Sequence, residues 1–216
     1  MTGVEALCGE FDRQLSELGF RLVAGGFVDR RYQARLEGWE ASAALSVYVD
    51  TGGPGRASRG DASGYRLLLR IENGLAARWM AGRSAPVVTR LGLTAVEELV
   101  PGGLLRAHDP DWARGRLLAP AAREVLSTLL ADAILIEQRP GILEAQVERI
   151  GAVDVPVLGP LVQALATLAR QSSEPPMPKP AGRRLTDQRG LMMVLLAVVV
   201  LGVFCGLLAL CWWAVR

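Results

Sequence analysis

The sequence predicts an α+β fold: an antiparallel sheet meander packed on a few helices, followed by a proline-rich linker and one C-terminal transmembrane helix. Apolar and polar residues alternate through much of residues 20–83, which is typical of strands with one buried face. Helical spacing of apolar residues precedes and follows this block. We therefore expect a soluble domain over 1–170, a linker over 171–189 and an anchor over 190–216.

The first helix is predicted to begin at Thr2 and to end before Gly19. Thr2 and Glu5 have the spacing of a capping box, in which each side chain satisfies a free amide of the first turn. Cys8 falls on the apolar side of this helix. It could be a nucleophile, but no nearby residue supplies the base that a reactive thiol needs. We therefore interpret Cys8 as a small core residue.

Five strands are expected next, at residues 20–23, 31–36, 41–49, 65–71 and 75–80. Asn73 and Gly74 predict a hairpin between the last two strands, because both residues tolerate the positive φ of a tight turn. The glycine-rich segment 51–64 lacks the lysine and the following helix of a phosphate-binding loop. We interpret it as a hairpin loop.

Residues 94–100 are predicted to form one or two helical turns, and 104–107 a short strand. His108 then lies beside two aspartates, which suggests a metal or acid–base site. A metal site needs three or four converging ligands, however, and this is the only histidine of the chain. The same segment also fits a helix start, with Asp109 as the N-cap and Pro110 at the first helical position. We favour the helix start.

The rest of the domain is predicted to hold a helix from Pro120, a buried strand at 133–137, a paired strand at 142–150 and an amphipathic helix at 156–170. Residues 108–130, the sequence AILIEQRPGIL and the closing helix resemble a soluble α+β domain of uncharacterised bacterial single-pass membrane proteins. This resemblance covers residues 20–170 and rests on the apolar pattern. It implies an α+β fold and no known activity, and it assigns no functional residue.

The linker is expected to act as a semi-rigid spacer, since four prolines lie between residues 175 and 180. Its arginines Arg183, Arg184 and Arg189 have two interpretations that stay open. They can contact anionic lipid headgroups, or they can serve only to orient the membrane span.

Residues 191–215 contain no charge and no proline. At about 1.5 Å per residue they cover roughly 37 Å, more than the roughly 30 Å of bilayer hydrocarbon. Trp212 and Trp213 lie at the far end, where indoles favour the headgroup region. Basic residues are concentrated before the span, and the chain does not begin with a signal-peptide pattern. We therefore expect a single-pass, tail-anchored protein of the bacterial inner membrane, with its domain in the cytoplasm.

Gly202 and Gly206 have the G-x-x-x-G spacing that lets two membrane helices pack closely, so a homodimer through the span is one expectation. Glycine is also common in membrane helices that do not associate, and this alternative stays open.

The charge balance argues against a nucleic-acid partner. Residues 1–170 hold 19 basic and 20 acidic side chains, so the domain lacks the basic footprint of a nucleic-acid-binding protein. No motif for a nucleotide, a metal or a catalytic serine is present. We therefore predict no catalytic, cofactor-binding or metal-binding residue and no cofactor.

These observations favour a membrane-tethered, non-catalytic binding or adaptor module, whose partners are the lipid bilayer and a protein at the membrane. Trp39 and Trp79 are each either an exposed anchor for that partner or a core residue. The alternative is a membrane-anchored hydrolase that uses carboxylates, whose active site the sequence does not locate.

Overall fold

The computed structural model describes residues 3–49, 61–83 and 92–171. The chain divides into two compact units, Met1–Met177 and Pro178–Arg216, and all the described residues belong to the first. The described helices are α1 (Val4–Glu17), α2 (Pro110–Arg116), α3 (Pro120–Asp132) and α4 (Leu158–Gln171). The described strands are β1 (Arg21–Gly25), β2 (Asp29–Leu36), β3 (Trp39–Val49), β4 (Ala62–Glu72), β5 (Trp79–Gly82), β6 (Thr94–Val100), β7 (Gly103–Ala107), β8 (Ala133–Arg139) and β9 (Ile142–Ile150).

These nine strands form one antiparallel sheet in the order β1-β2-β3-β4-β9-β8-β5-β7-β6. The predicted α+β class, with a mostly antiparallel sheet and a few helices, is therefore confirmed. Among the described residues no helix is long and apolar enough to cross a bilayer. The predicted linker and span lie outside the described residues.

One face of the sheet is apolar and is covered by helices. Alternate residues of β3 and β4 point into this core: Ala41, Ala43, Leu45, Val47, Tyr65, Leu67, Leu69 and Ile71. Each of the four helices contributes side chains to the same core. The ring of Phe11 in α1 meets that of Tyr65 edge to face, with centroids 4.9 Å apart, so α1 is fixed on β4. Cys8 is fully buried beside them, which confirms it as a core residue.

The predicted hairpin at Asn73 and Gly74 is wrong, although Gly74 does have a positive φ of 68°. β4 pairs with β9, and β5 pairs with β8 and β7, so two strands lie between the supposed hairpin partners. The chain instead crosses the end of the β8–β9 hairpin. A turn signal is local and cannot report that strands from much later in the chain enter the sheet at this point.

Asn73 stabilises this crossing through side-chain and backbone hydrogen bonds. Its buried amide donates to the Gln138 side-chain oxygen at 2.7 Å and its own oxygen accepts from Gln138 at 3.1 Å. Its backbone amide donates to the Gly141 carbonyl in the β8–β9 turn at 3.0 Å, and the Gly141 amide donates to the Leu75 carbonyl at 2.6 Å.

Residues 94–100 form strand β6, so the predicted helical turns are wrong. β6 joins β7 through a turn in which Gly102 has a φ of 74°. The ladder slips twice, between Ala95 and Glu97 and again between Glu98 and Val100. These irregularities break the alternation of apolar and polar residues, which is the signal that would have revealed a strand.

The other predicted elements are confirmed with shifted ends. The fifth strand begins at Trp79 instead of residue 75, and α1 begins after Gly3, which occupies the N-cap position without a side-chain cap. Thr2, which the predicted capping box pairs with Glu5, lies outside the described residues. Gly19 follows the end of α1 with a φ of 84°, as the prediction required.

The helix start after His108 is confirmed. The Asp109 carboxylate accepts a hydrogen bond from the Trp112 amide at 3.0 Å, and Pro110 occupies the first turn of α2.

We predict that Asp109→Ala lowers the free energy of unfolding by about 1 kcal/mol, because the substitution leaves a helix amide without its acceptor. Asp109→Asn is the matched control, since asparagine caps helices equally well. The measurement is urea unfolding of the full chain in mild detergent. Equal losses in both variants would contradict the cap.

We further predict that Asn73→Ala destabilises the fold by about 1–3 kcal/mol, because the Gln138 amide is then buried without its partner. A double-mutant cycle with Gln138→Ala, measured by the same unfolding experiment, should give a coupling of at least about 0.5 kcal/mol. Strictly additive losses would show that the two amides do not act as a pair.

Candidate binding surface

The face of the sheet opposite the core, which we call the outer face, is polar. One row of directly opposed residues crosses six strands of it: Arg21, Gln33, Ser42, Arg70, Glu144 and Glu137. The described helices all pack on the core face. Toward β1 and β2 the side chains of this row are exposed, whereas Glu144 and Glu137 at its other end are buried.

An open groove of about 610 Å³ lies at the end of the outer face that carries the β2–β3 turn. We call it the end groove, and its charged or polar lining comprises Arg21, Gln33, Arg35, Glu40, Ser42 and Glu72. Next to it a shallower concavity is formed by Glu37, Gly38, Trp39 and Arg170. Arg170, near the end of α4, pairs with Glu37, so α4 ends beside this groove.

The arginines of the outer face fall into two groups. Arg66 and Arg70 of β4 pair with acidic residues of β9, Glu148 and Glu144. The exposed Arg21, Arg31 and Arg35 of β1 and β2 make no ion pair among the described residues, and neither does the half-buried Arg106 of β7.

Glu148 is the centre of one polar cluster. The Tyr48 hydroxyl donates to its carboxylate at 2.5 Å and Arg66 donates at 2.9 Å. Burial by itself would raise the pKa of Glu148, but these hydrogen bonds together outweigh it and hold the pKa below its ordinary value. Burial and the same hydrogen bond raise the pKa of Tyr48.

Glu137 and Glu144 lie directly opposite each other on β8 and β9, and both are buried. Arg139 lies 3.0 Å from Glu137 and 3.6 Å from Glu144, and Arg70 donates to Glu144. These arginines compensate two like charges that would otherwise repel across the strands. The arrangement fits structural ion pairs better than catalytic carboxylates.

The pair could have been suspected from the sequence, since each glutamate interrupts an apolar strand, in AILIE and in ILEAQVE. What the sequence does not give is the register that places the two side chains opposite each other, or the reach of Arg139 over both.

Of the other residues singled out in the sequence, Trp79 is fully buried, so its interpretation as an exposed anchor is wrong. Trp39 is half-buried and lines the concavity next to the end groove. Burial raises the pKa of the Cys8 thiol despite the neighbouring Arg30, which leaves Cys8 a poor nucleophile. No group of three metal-ligating side chains occurs among the described residues. The predicted membrane residues Arg183, Arg184, Arg189, Gly202, Gly206, Trp212 and Trp213 lie outside them.

Comparison with known proteins gives a likeness of fold. No family model matches the chain, and no curated protein matches it. The crystal structure of the mycobacterial trehalose monomycolate transport factor A, TtfA, superimposes with a TM-score of 0.55 at 10% sequence identity. The match covers 80% of this chain and 98% of TtfA. At this identity the likeness shows a shared fold alone.

We predict that stability becomes less dependent on pH in Glu148→Gln. A carboxyl with a lowered pKa stabilises the fold above its ordinary pKa, here 4.5, and this stabilisation is lost as the pH falls through the lower, folded-state value. Urea unfolding across the acid range should show a flatter loss below pH 4.5 in the variant, and a partial flattening in Tyr48→Phe. Asp111→Asn, at a site that is 93% exposed, is the control. A profile unchanged by Glu148→Gln would contradict the assignment.

Proposed function

We propose that this protein is a membrane-tethered, non-catalytic binding or adaptor module. It is tail-anchored through residues 191–215, with the domain in the cytoplasm. The observation that carries the proposal is the end groove, an open, polar surface lined by Arg21, Arg35, Glu40 and Glu72 on the face of the sheet that the described helices do not cover. A groove of this kind presents several hydrogen-bonding and charged groups to a partner without the buried acid–base pair that catalysis requires.

The position of the groove suits a tethered module. α4 ends beside it at the Arg170–Glu37 pair, and the sequence continues from there into the proline-rich linker. Tethering raises the effective concentration of the domain for a partner in the same membrane, so modest affinity in the groove is sufficient.

The mixed charges of the groove favour a protein partner with complementary charges over a purely anionic ligand. The fold likeness to a protein described as a transport factor suggests where to look first, by analogy alone: a transport assembly of the membrane. Lipid contact through Arg183, Arg184 and Arg189 and a dimer through Gly202 and Gly206 stay predictions, as does the resemblance to domains of bacterial single-pass membrane proteins.

We predict that the full chain, purified from native membranes in mild detergent, carries a stoichiometric protein partner that mass spectrometry identifies. Arg21→Gln combined with Arg35→Gln should reduce its recovery by about tenfold or more, because two charged contacts are lost. The matched control is Arg78→Gln with Arg106→Gln, which removes the same charge near the other edge of the sheet.

A second arm replaces residues 191–216 with an unrelated membrane anchor. Retention of the partner assigns recognition to the domain, and loss assigns it to the membrane helix. If no partner is recovered in any arm, or if the control variant loses it equally, the end groove is not a docking site.

A further inference from the structure

The β1–β2 hairpin is unlike the rest of the domain in its exposure. All seven residues from 21 to 27 are exposed, and they include three large apolar side chains. Leu22 is 49% exposed, Val23 53% and Phe27 59%. Single exposed apolar residues are common on protein surfaces, but these three lie within six residues of one hairpin.

The hairpin is held firmly in spite of this exposure. Arg30 and the Tyr32 hydroxyl both donate to Asp12 of α1, the latter at 2.7 Å. The Cys8 thiol lies 3.9 Å from the Phe27 carbonyl oxygen. These contacts fix the backbone against α1, so the apolar side chains are presented outward by a supported scaffold.

The β1–β2 hairpin also carries a local excess of positive charge. Residues 21–36 contain four arginines and one acidic residue, a net charge of +3, whereas residues 1–170 as a whole have a net charge of −1. Arg30 is neutralised by Asp12, but Arg21 and Arg31 are exposed and make no ion pair among the described residues. Exposed apolar side chains flanked by arginine are the composition of surfaces that bind anionic lipid interfaces.

The geometry of β1 disfavours the other occupants of a free sheet edge. A register shift between Leu22 and Ala24 places a bulge at Val23, which interrupts the backbone ladder that an added strand would need. A second copy of the hairpin would bring a second basic surface against the first, and like charges repel.

We infer that the β1–β2 hairpin docks on an anionic bilayer surface, with Val23 and Phe27 entering the headgroup region and Arg31 contacting an acidic lipid headgroup. The inference rests on the proposed tethering only in that the tether keeps a bilayer near.

The test uses the full chain with vesicles of phosphatidylcholine alone and of phosphatidylcholine mixed with phosphatidylglycerol. Flotation reports the tether, and amide hydrogen exchange of residues 21–27 reports the hairpin. We expect flotation with both vesicle types, and at least about tenfold slower exchange in the hairpin only with the anionic vesicles. High salt should reverse this protection, since it screens the arginine contacts.

Two variants separate the contributions. Val23→Ser with Phe27→Ser should abolish the protection, and Arg31→Gln should reduce it by about fivefold, because one charged contact is lost. Ile150→Ser with Val157→Ser is the control, because these residues are 79% and 71% exposed and lie elsewhere on the domain. The control should keep full protection.

The other outcomes distinguish docking of the hairpin on lipid from the proposed membrane tether. Flotation with both vesicle types without hairpin protection overturns the docking and leaves the tether standing. Flotation with anionic vesicles alone overturns the tether and supports the docking, provided that the hairpin is protected. Flotation with neither overturns both. Protection that rises with protein concentration in detergent would assign the edge to pairing between copies and would overturn the lipid assignment.

Discussion

The architecture of this domain depends on the insertion of the β8–β9 hairpin between β4 and β5. Without it the sheet would be two smaller pieces, since β4 and β5 share no ladder of their own. The buried amides of Asn73 and Gln138 and the backbone bonds to Gly141 secure the crossing at the end of this hairpin. A buried polar pair is favourable only when both partners are satisfied, so it selects this one arrangement among many that would bury similar apolar area.

The two faces of the sheet differ in the side chains that they carry. The core face carries alternate apolar side chains and receives the helices, while the outer face carries rows of arginines and glutamates whose pairing is set by the strand register. Where β4 meets β9 the charges compensate each other in place. On β1 and β2 the exposed Arg21, Arg31 and Arg35 make no ion pair with described residues, and this is the side where we propose that a partner binds.

Much of this fold could be predicted from the sequence, because burial of one face makes apolar residues recur with the period of a helix or a strand. The amphipathic helices, strand β3 and the Asp109 cap were all predictable, since each is encoded within one helix or strand and its immediate flanks. The failures share a cause in long-range pairing. Gly74 has a positive φ, but β4 pairs with β9, whose residues lie some 70 positions later in the chain. The two register irregularities of β6 obscure its alternation, and Trp79 is central only because β8 and β7 flank β5. The end groove, built from β1, β2, β3 and β4, could not be located before those registers were known.

The non-sequential strand order also has a consequence for synthesis. As the chain leaves the ribosome, β1 to β4 can assemble as a meander, but the outer edge of β4 has no partner until residues 142–150 emerge. Through that interval an 11-residue strand with one apolar face offers an open edge, which is a template for association with other nascent chains. Completion of the sheet is therefore the slow, high-contact-order step, and any factor that shields β4 during translation would govern the yield of folded protein.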